Sequence, residues 1–171
     1  YAEDFTHSEI DGIFKKVMKG NELQQTEILK FKSFLLLEGA RMDYASGWAQ
    51  QFHYGVLRNN NSGMFSKVGA DTGFDSIGDF KTAKAMSKFL NKLATEDKLA
   101  KTILYNINPG DNEMIATMIG NFNEGPTAGK IQFGSGWWFL DQKQGMIEQM
   151  NTLSSLGLIS KFVGMLTDSR S

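Results

Sequence analysis

Short apolar segments alternate with amphipathic helical segments along most of this 171-residue chain, and this alternation limits the folds it can adopt. A helical segment at about 24–45 comes first. The candidate strands then lie at 48–56, 101–107, 130–133 and 162–166, separated by helices at about 80–95, after 108–111 and at about 141–156. Strands that alternate with helices form βαβ units and a parallel sheet. The sequence therefore predicts an α/β fold with parallel strands.

The number of strands narrows the architecture. A closed (β/α)8 barrel needs eight strands in about 250 residues, and four candidate strands are half of that set. The pattern thus predicts either a small open sheet or half of a barrel. We divide the chain into a helical lead-in segment, 1–47, and a single domain, 48–171, that holds the four parallel strands.

Local signals predict how individual segments begin and pack. Residues 57–79 form the longest predicted loop, and loops longer than about 15 residues are usually functional or disordered. Its apolar residues indicate a packed loop. Asp79 is expected to cap the helix at about 80–95. The buried stripes expected from helical spacing are Ile28, Phe31, Leu35 and Met42, broadened by Phe34 to Leu37, in the first long helix, Ala85, Met86, Phe89, Leu90 and Leu93 in the second, and Met146, Ile147, Met150 and Leu153 in the last.

Composition excludes several classes of function. Net charge is −1 and the basic residues are scattered, so nucleic acid is not an expected partner. The chain has no cysteine, which excludes thiolate metal sites and is consistent with a cytoplasmic location. No apolar run approaches the ~18 residues of a membrane span. The start lacks both an initiator Met and a signal-peptide pattern, and the end is abrupt, so we expect a fragment of a longer protein.

Polar and aromatic side chains follow each candidate strand. Ligands of parallel α/β folds bind beyond the carboxyl ends of the strands, and all those ends meet at one edge. We therefore expect one rim that is built from several loops. Its candidate residues are His53, Arg58, Asn60, Trp137, Trp138, Asp168 and Arg170.

Each candidate also has a structural explanation. His53 could be a strand-end histidine that bonds to the backbone, and Asn60 could be an ordinary turn residue. Asp168 and Arg170 could form a surface ion pair. Alternatively, they could supply a metal ligand or base and a clamp for a substrate anion. The glycines around Ser135 could cradle a phosphate, but a tight turn beside bulky tryptophans is the favoured interpretation, since no P-loop lysine follows.

The chain resembles the uronate isomerase (glucuronate isomerase) family of the amidohydrolase superfamily, whose members are (β/α)8 barrels. The resemblance covers roughly residues 48–171. It is specific as a set of stretches, although none would be convincing alone. The stretches are 53–61, 71–78, 101–113, 118–122, 129–139, 141–143 and 162–171.

The resemblance implies that the chain holds barrel strands five to eight. It implies that Asp168 is a metal ligand and proton shuttle, that Arg170 contacts the substrate, and that His53 is the strand-five histidine. Trp137, Trp138, Arg58 and Asn60 are then substrate-binding candidates. The implied metal is a divalent cation, zinc in the family. The family's His-x-His metal pair is absent from this sequence, so further ligands are expected outside it.

The implied reaction interconverts D-glucuronate with D-fructuronate, and D-galacturonate with D-tagaturonate, by metal-assisted proton transfer through an enediol. The expected partners are a uronic acid substrate and either a second copy or the missing half of the barrel; a membrane is not expected. Two alternatives were considered. The half-barrel could be a non-catalytic domain for sugar binding or association. The parent could instead be a hydrolase of the same superfamily, but the Asp168–Arg170 motif and the Trp137–Trp138 pair, with no second set of metal ligands, argue against this.

Overall fold

A computed structural model of the chain describes residues 1–165. Its helices are α1 (His7–Met18), α2 (Gln25–Ala45), α3 (Ser62–Val68), α4 (Ala83–Thr95), α5 (Asn112–Gly120) and α6 (Lys143–Leu156). Its strands are β1 (Ala49–Tyr54), β2 (Val56–Leu57), β3 (Ser76–Ile77), β4 (Lys101–Asn106) and β5 (Ile131–Phe133). Short 3-10 turns lie at Pro109–Asp111, Trp138–Leu140 and Ile159–Lys161. Within residues 1–165, no helix combines the length and the apolarity that crossing a membrane requires.

The predicted alternation of strands and helices is confirmed over most of the described chain. The predicted helix at about 24–45 is α2, and the strands predicted at 101–107 and 130–133 are β4 and β5. The turn before α5 forms as its sequence indicates, because the side chain of Asn108 accepts a hydrogen bond from the backbone N–H of Gly110 at 3.0 Å. Local capping chemistry thus places these elements correctly.

Several local predictions were wrong. The strand expected at 162–166 is not a strand over its described residues, 162–165. The helix α4 begins after Thr82, not at Asp79. The segment 57–79 is not a plain loop, because it contains α3 and an antiparallel pair of strands, with Val56 opposite Ile77. The side-chain oxygen of Asn61 caps α3 by accepting from the N–H of Met64 at 3.0 Å.

The buried faces of two helices also differ from the predicted stripes. On α2, the buried positions are Ser33, Leu37 and Ala40, whereas Leu35 is 53% and Met42 66% exposed. On α6, Leu153 is buried as predicted, but Gly145, Gln149 and Thr152 are buried in place of the other expected residues. Small and polar side chains occupy these faces, so hydrophobicity alone assigned them incorrectly.

The chain divides into two compact units. The first joins Tyr1–Gln50 to Thr82–Lys101, and the second joins Gln51–Lys81 to the chain from Thr102 onward. The helix α4 therefore belongs with the N-terminal helices. The division at 47 and 48 expected from the sequence stays a prediction.

In the first unit, α2 packs against both α1 and α4. The start of α1 is fixed by a capping box, in which the N–H of Glu9 donates to the Thr6 hydroxyl and the N–H of Thr6 donates to the Glu9 carboxylate. The buried apolar side chains are Ile10 and Ile13 of α1, Leu37 and Ala40 of α2, and Leu90 and Leu93 of α4.

A bidentate ion pair fastens the end of α4 to α2. The guanidinium of Arg41 donates to both carboxylate oxygens of Glu96, at 2.9 and 2.8 Å. Such two-point pairs are stronger than single hydrogen bonds between neutral groups. The hydrogen bond and charge of Arg41 lower the pKa of the Glu96 carboxyl below its ordinary value of 4.5.

The second unit is organised by a three-stranded sheet, in the order β1-β4-β5 within the described residues. The strands β4 and β5 are parallel, with Thr102 opposite Ile131 and Leu104 opposite Phe133. The helices α5 and α6 pack on one another, and α5 also contacts β5. The sheet therefore brings the residues that follow β4 and β5 to one edge.

The two leucines of α2 test the observed burial directly. We expect Leu37→Ala to lower the free energy of unfolding by ~2–4 kcal/mol, because it opens a cavity in a packed face. The matched control Leu35→Ala should change it by less than ~0.5 kcal/mol, since that side chain lies mostly in water. Urea unfolding followed by circular dichroism measures both, and a larger loss for Leu35→Ala would contradict the observed helix orientation.

The Arg41–Glu96 pair makes stability depend on pH. Because the folded-state pKa of Glu96 is lowered, its carboxylate stabilises the fold above pH 4.5, and this contribution is lost as the pH falls through the folded pKa. We expect Glu96→Gln to lower the free energy of unfolding by ~1–2 kcal/mol at neutral pH. The difference from the parent chain should shrink in acid. The control Glu124→Gln breaks an exposed pair with Lys130 and should show neither effect.

Candidate active site

The residues after β4 and β5 form one edge of the second unit, as the parallel arrangement predicts. The N–H of Gly134 donates to the carbonyl of Leu104 at 2.8 Å, which extends the pairing of the two strands by one residue. Beyond this bond lie Tyr105 and Asn106 on β4, and Ser135 to Trp138 after β5. We call this edge the rim.

An aromatic cluster of His53, Tyr105 and Trp137 occupies the rim. The imidazole of His53 stacks on the ring of Tyr105, with centroids 4.2 Å apart and planes 2° apart. The indole of Trp137 meets the same imidazole edge-on at 4.6 Å. The structure thus brings His53 and Trp137 together, as their positions at strand ends predicted, and the two rings fix the orientation of the imidazole.

Tyr105 is the residue of this cluster that sequence reasoning missed. Its side chain is 3% exposed, and its hydroxyl donates to the side-chain oxygen of Gln51 at 2.9 Å. Burial raises the pKa of the Tyr105 phenol above its ordinary value of 10.0, so it stays neutral at physiological pH. Residues Thr102 to Asn106 of β4 are all buried, so the strand shows no alternation of buried and exposed positions that would have indicated Tyr105.

Glycine is required where β5 turns toward the cluster. A Cβ on Gly134 would lie 2.3 Å from the ring of Tyr105, and one on Gly136 would lie 2.7 Å from the carbonyl oxygen of Leu140. Real Cβ contacts are never so short. The structure therefore supports the packing explanation of these two glycines, which was favoured over a phosphate cradle.

The two tryptophans contribute different surfaces. Among the described residues, the buried indole Nε1 of Trp137 has no hydrogen-bond partner. Trp138 has a φ of 50°, a left-handed conformation that is unusual for a bulky residue. Its ring stacks on Phe139 and also lies 5.4 Å from the guanidinium carbon of Arg58. Trp138 and Arg58 are therefore neighbours in the fold, although they are far apart in sequence.

Arg58 is held by two carboxylates that sequence reasoning did not assign to it. Its Nη2 pairs closely with Asp71, and its Nη1 lies 3.4 Å from Asp75 Oδ2. Both acids come from the far side of the segment that contains α3. The side chain of Asp71 is 69% exposed and that of Asp75 only 4%.

Asn60 and its neighbour serve the loop itself. The side-chain amide of Asn60 donates to the carbonyl of Leu57 at 3.0 Å and to the hydroxyl of Ser76 at 3.1 Å. Its backbone N–H donates to the carbonyl of Phe74 at 2.7 Å. These bonds tie the loop after β2 to β3, which is the turn-residue role considered for this asparagine. Substrate binding by Asn60 stays a prediction.

Asp168 and Arg170 lie outside the described residues, so their roles stay predictions. The chain that leads to them runs beside β5. The N–H of Val163 donates to the side-chain oxygen of Gln132 at 3.2 Å, and the hydroxyl of Ser135 lies 3.8 Å from the sulfur of Met165. The last described residue is therefore close to the rim.

The described residues do not form a metal site on their own. Residues 1–165 contain no group of three or more His, Asp or Glu side chains placed to hold one ion. His53 instead has its ring packed between Tyr105 and Trp137. The predicted zinc site, with Asp168 as ligand, stays a prediction.

Two further acids interact, Asp111 after β4 and Asp79 after β3. Burial, and then the negative charge of Asp79, raises the pKa of the Asp111 carboxyl above its ordinary value of 3.8. Asn108 connects the two segments, because its side-chain amide donates to the carbonyl of Gly78 at 3.2 Å. Raised carboxyl pKa values occur both at active sites and in structural clusters, and no contact places Asp111 against the aromatic cluster.

Comparisons with known proteins agree with this geometry. A sequence model of the family described as glucuronate isomerase matches residues 1–171. Curated relatives named uronate isomerase include those of Phocaeicola vulgatus, 67% identical, and Cellvibrio japonicus, 61% identical, each over the whole chain. The chain spans 36% of the length of each of these relatives.

Two solved structures share the fold. A uronate isomerase from Thermotoga maritima superposes with a TM-score of 0.87 at 29% identity, over 99% of this chain and 36% of that one. A glucuronate isomerase from Caulobacter crescentus gives 0.83 at 24% identity, over 99% of this chain and 34% of that one, and shows the fold alone. The predicted fold class, α/β of the (β/α)8-barrel type, is confirmed.

The close approach of Gly134 to Tyr105 can be tested by one added methyl group. We expect Gly134→Ala to lower the free energy of unfolding by ~1–3 kcal/mol, because the Tyr105 ring must move. The ring-current shift of the His53 proton resonances should fall in the same variant. The control Gly39→Ala adds a methyl group to open space on α2 and should raise stability by ~0.5–1 kcal/mol. An unshifted His53 signal in Gly134→Ala would contradict the stacking.

Proposed function

The chain belongs to the glucuronate isomerase family, and we propose that the protein containing it interconverts D-glucuronate with D-fructuronate and D-galacturonate with D-tagaturonate. The observation that carries this proposal is the rim, where His53, Trp137 and the Arg58–Trp138 pair lie together in a chain of this family. We further propose a cytoplasmic location, for which the absence of cysteine is the only support.

Aldose–ketose isomerisation asks for a particular set of groups. A base takes the proton from C2 of the aldose and returns a proton to C1 of the ketose, while a second proton moves from the C2 oxygen to the C1 oxygen. The intermediate is an enediol that carries negative charge on oxygen as it forms. The site must therefore supply a proton shuttle, donors for the enediol oxygens, and a cation for the substrate carboxylate.

The rim residues fit parts of this set. The buried Nε1 of Trp137 can donate to a sugar oxygen, because no protein group among the described residues accepts from it. The guanidinium of Arg58 supplies a fixed positive charge, and its fork geometry suits carboxylates. His53 can meet a hydroxyl from its stacked position. Asp168 as proton shuttle and Arg170 as the clamp for the C6 carboxylate complete the proposal.

The divalent metal, zinc in our proposal, would polarise the substrate oxygens when bound. Asp168 is the one ligand that this chain is proposed to supply, with the others outside it. The described residues alone do not form a site for this metal.

We also propose that the chain functions in association, with the rest of the barrel or with a second copy. Several large apolar side chains of its first unit are exposed, including Leu35 at 53%, Met42 at 66% and Trp48 at 67%. Exposed apolar patches of this kind commonly mark interaction surfaces. Packing with the remaining barrel residues would also bring the missing ligands to the rim.

A turnover assay with zinc or manganese tests both proposals. We expect a full-length protein containing this chain to convert D-glucuronate to D-fructuronate, and the 171-residue chain alone to show no turnover. Adding the separately expressed remainder of the protein to the chain should restore activity. In D2O, deuterium should appear at C1 of the ketose, because the transferred proton exchanges with solvent at the base.

The outcomes separate the alternatives. Turnover by the 171-residue chain alone would overturn the proposal that essential ligands lie outside it. Binding of uronate by the full-length protein without turnover would instead support the non-catalytic sugar-binding alternative. Metal without protein serves as the control for uncatalysed isomerisation.

A further inference from the structure

We propose that Asp75 is a positioning residue whose buried carboxylate holds both the side chain of Arg58 and the backbone turn at Asn59. The inference rests on the proposed function, in which Arg58 contacts the substrate. It concerns how the rim keeps its positive charge in one place, and Asp75 itself need not touch the substrate.

A single carboxylate joins two parts of the turn. Asp75 Oδ1 accepts a hydrogen bond from the backbone N–H of Asn59 at 2.8 Å, while Oδ2 lies 3.4 Å from Arg58 Nη1. Asn59 has a φ of 56°, in the left-handed region. Asparagine is one of the few residues besides glycine that adopt this conformation readily, and an outside contact holds the turn further. The bond from Asn59 to Asp75 supplies that contact.

Burial distinguishes Asp75 from the other acid on Arg58. A carboxylate that is 4% exposed is costly without a counter-charge, and Arg58 provides it. Asp71 is 69% exposed, so water screens its attraction for the same guanidinium. The two acids therefore have different roles, although both pair with Arg58. Asp71 makes the shorter contact with Arg58, but its exposure lets water compete for it, so we expect the buried Asp75 to restrain the guanidinium more.

The ring of Trp138 restrains Arg58 from a second direction. Its centroid lies 5.4 Å from the guanidinium carbon, within the range of a cation–π contact. Trp138 in turn lies against Trp137, with ring centroids 5.7 Å apart. The carboxylate of Asp75 and the indole of Trp138 thus hold the guanidinium next to the aromatic cluster. A cation that is fixed before the substrate binds needs no reorganisation during the reaction.

Four variants of the full-length protein test the inference. Asp75→Asn removes the charge but keeps an oxygen that can accept from Asn59, and Asp71→Asn is the matched control on the same guanidinium. Arg58→Met and the double variant Arg58→Met/Asp75→Asn complete a double-mutant cycle. The readouts are kcat and KM for D-glucuronate, together with the guanidinium Nε–H signal of Arg58 in 1H–15N spectra.

We expect Asp75→Asn to lower kcat/KM by about 10- to 100-fold, mainly through a higher KM, because the guanidinium is no longer held in place. Asp71→Asn should stay within about threefold of the parent. In the Arg58→Met background, Asp75→Asn should have no further effect on kcat/KM. The Nε–H signal of Arg58 should move in Asp75→Asn and stay in place in Asp71→Asn.

Several results would overturn the inference. One is that Asp75→Asn and Asp71→Asn lower kcat/KM equally. Another is that Asp75→Asn lowers kcat/KM by the same factor in the parent and in the Arg58→Met background. An unmoved Nε–H signal in Asp75→Asn would also overturn it, whether or not the protein turns over uronate. A parent protein without turnover, but with the expected change in the Nε–H signal, would refute the proposed function and leave the positioning of Arg58 by Asp75 supported.

Discussion

The close approach of Gly134 to the ring of Tyr105 is the constraint on which the rim depends. Because β4 and β5 are parallel, the N–H of Gly134 donates to the carbonyl of Leu104. A side chain at residue 134 would displace the ring of Tyr105. With glycine there, the ring stays flat against the imidazole of His53. The backbone then continues directly to Trp137, whose indole meets the imidazole edge-on. The absence of a side chain at Gly134 thus allows His53 of β1, Tyr105 of β4 and Trp137 after β5 to meet.

Much of the fold could be predicted because its signals are local. Asn108 and Pro109 predict the turn before α5. The apolar run in β4 is long enough to predict a buried strand. The face of α2 could not be predicted, because Ser33 is buried where Leu35 is exposed. The hydroxyl of Ser33 donates to the carbonyl of Leu29 and accepts from the N–H of Glu3, 30 residues away. A long-range hydrogen bond of this kind leaves no periodic trace in the sequence.

The candidate site likewise contains residues that could be predicted from the sequence and residues that could not. His53 lies near the end of β1 and Trp137 follows β5, so the expectation that the strand ends share one edge was enough to place them together. Tyr105 lies within a strand that is buried continuously from Thr102 to Asn106, so no alternation marked it and it was missed. The partners of Arg58 were missed for a different reason: Asp71 and Asp75 are 13 and 17 residues away in sequence. They reach it only because Val56 and Leu57 pair with Ile77 and Ser76. Pairing between such short strands is not visible to a pattern that looks for longer ones.

That pairing gives the segment between β2 and β3 a purpose which its composition did not reveal. Its two ends are tied by the strand pair and by the bonds of Asn60 to Leu57 and Ser76. These contacts bring the carboxylate of Asp75 close to Arg58, the residue that follows β2. An isolated buried carboxylate would be unstable, and an isolated exposed arginine would be mobile. Joined through a closed segment, each removes the disadvantage of the other, and a guanidinium with a defined position lies beside the aromatic cluster. For the proposed isomerisation, in which negative charge develops on a sugar oxygen, a guanidinium held in one position is more effective than a mobile one.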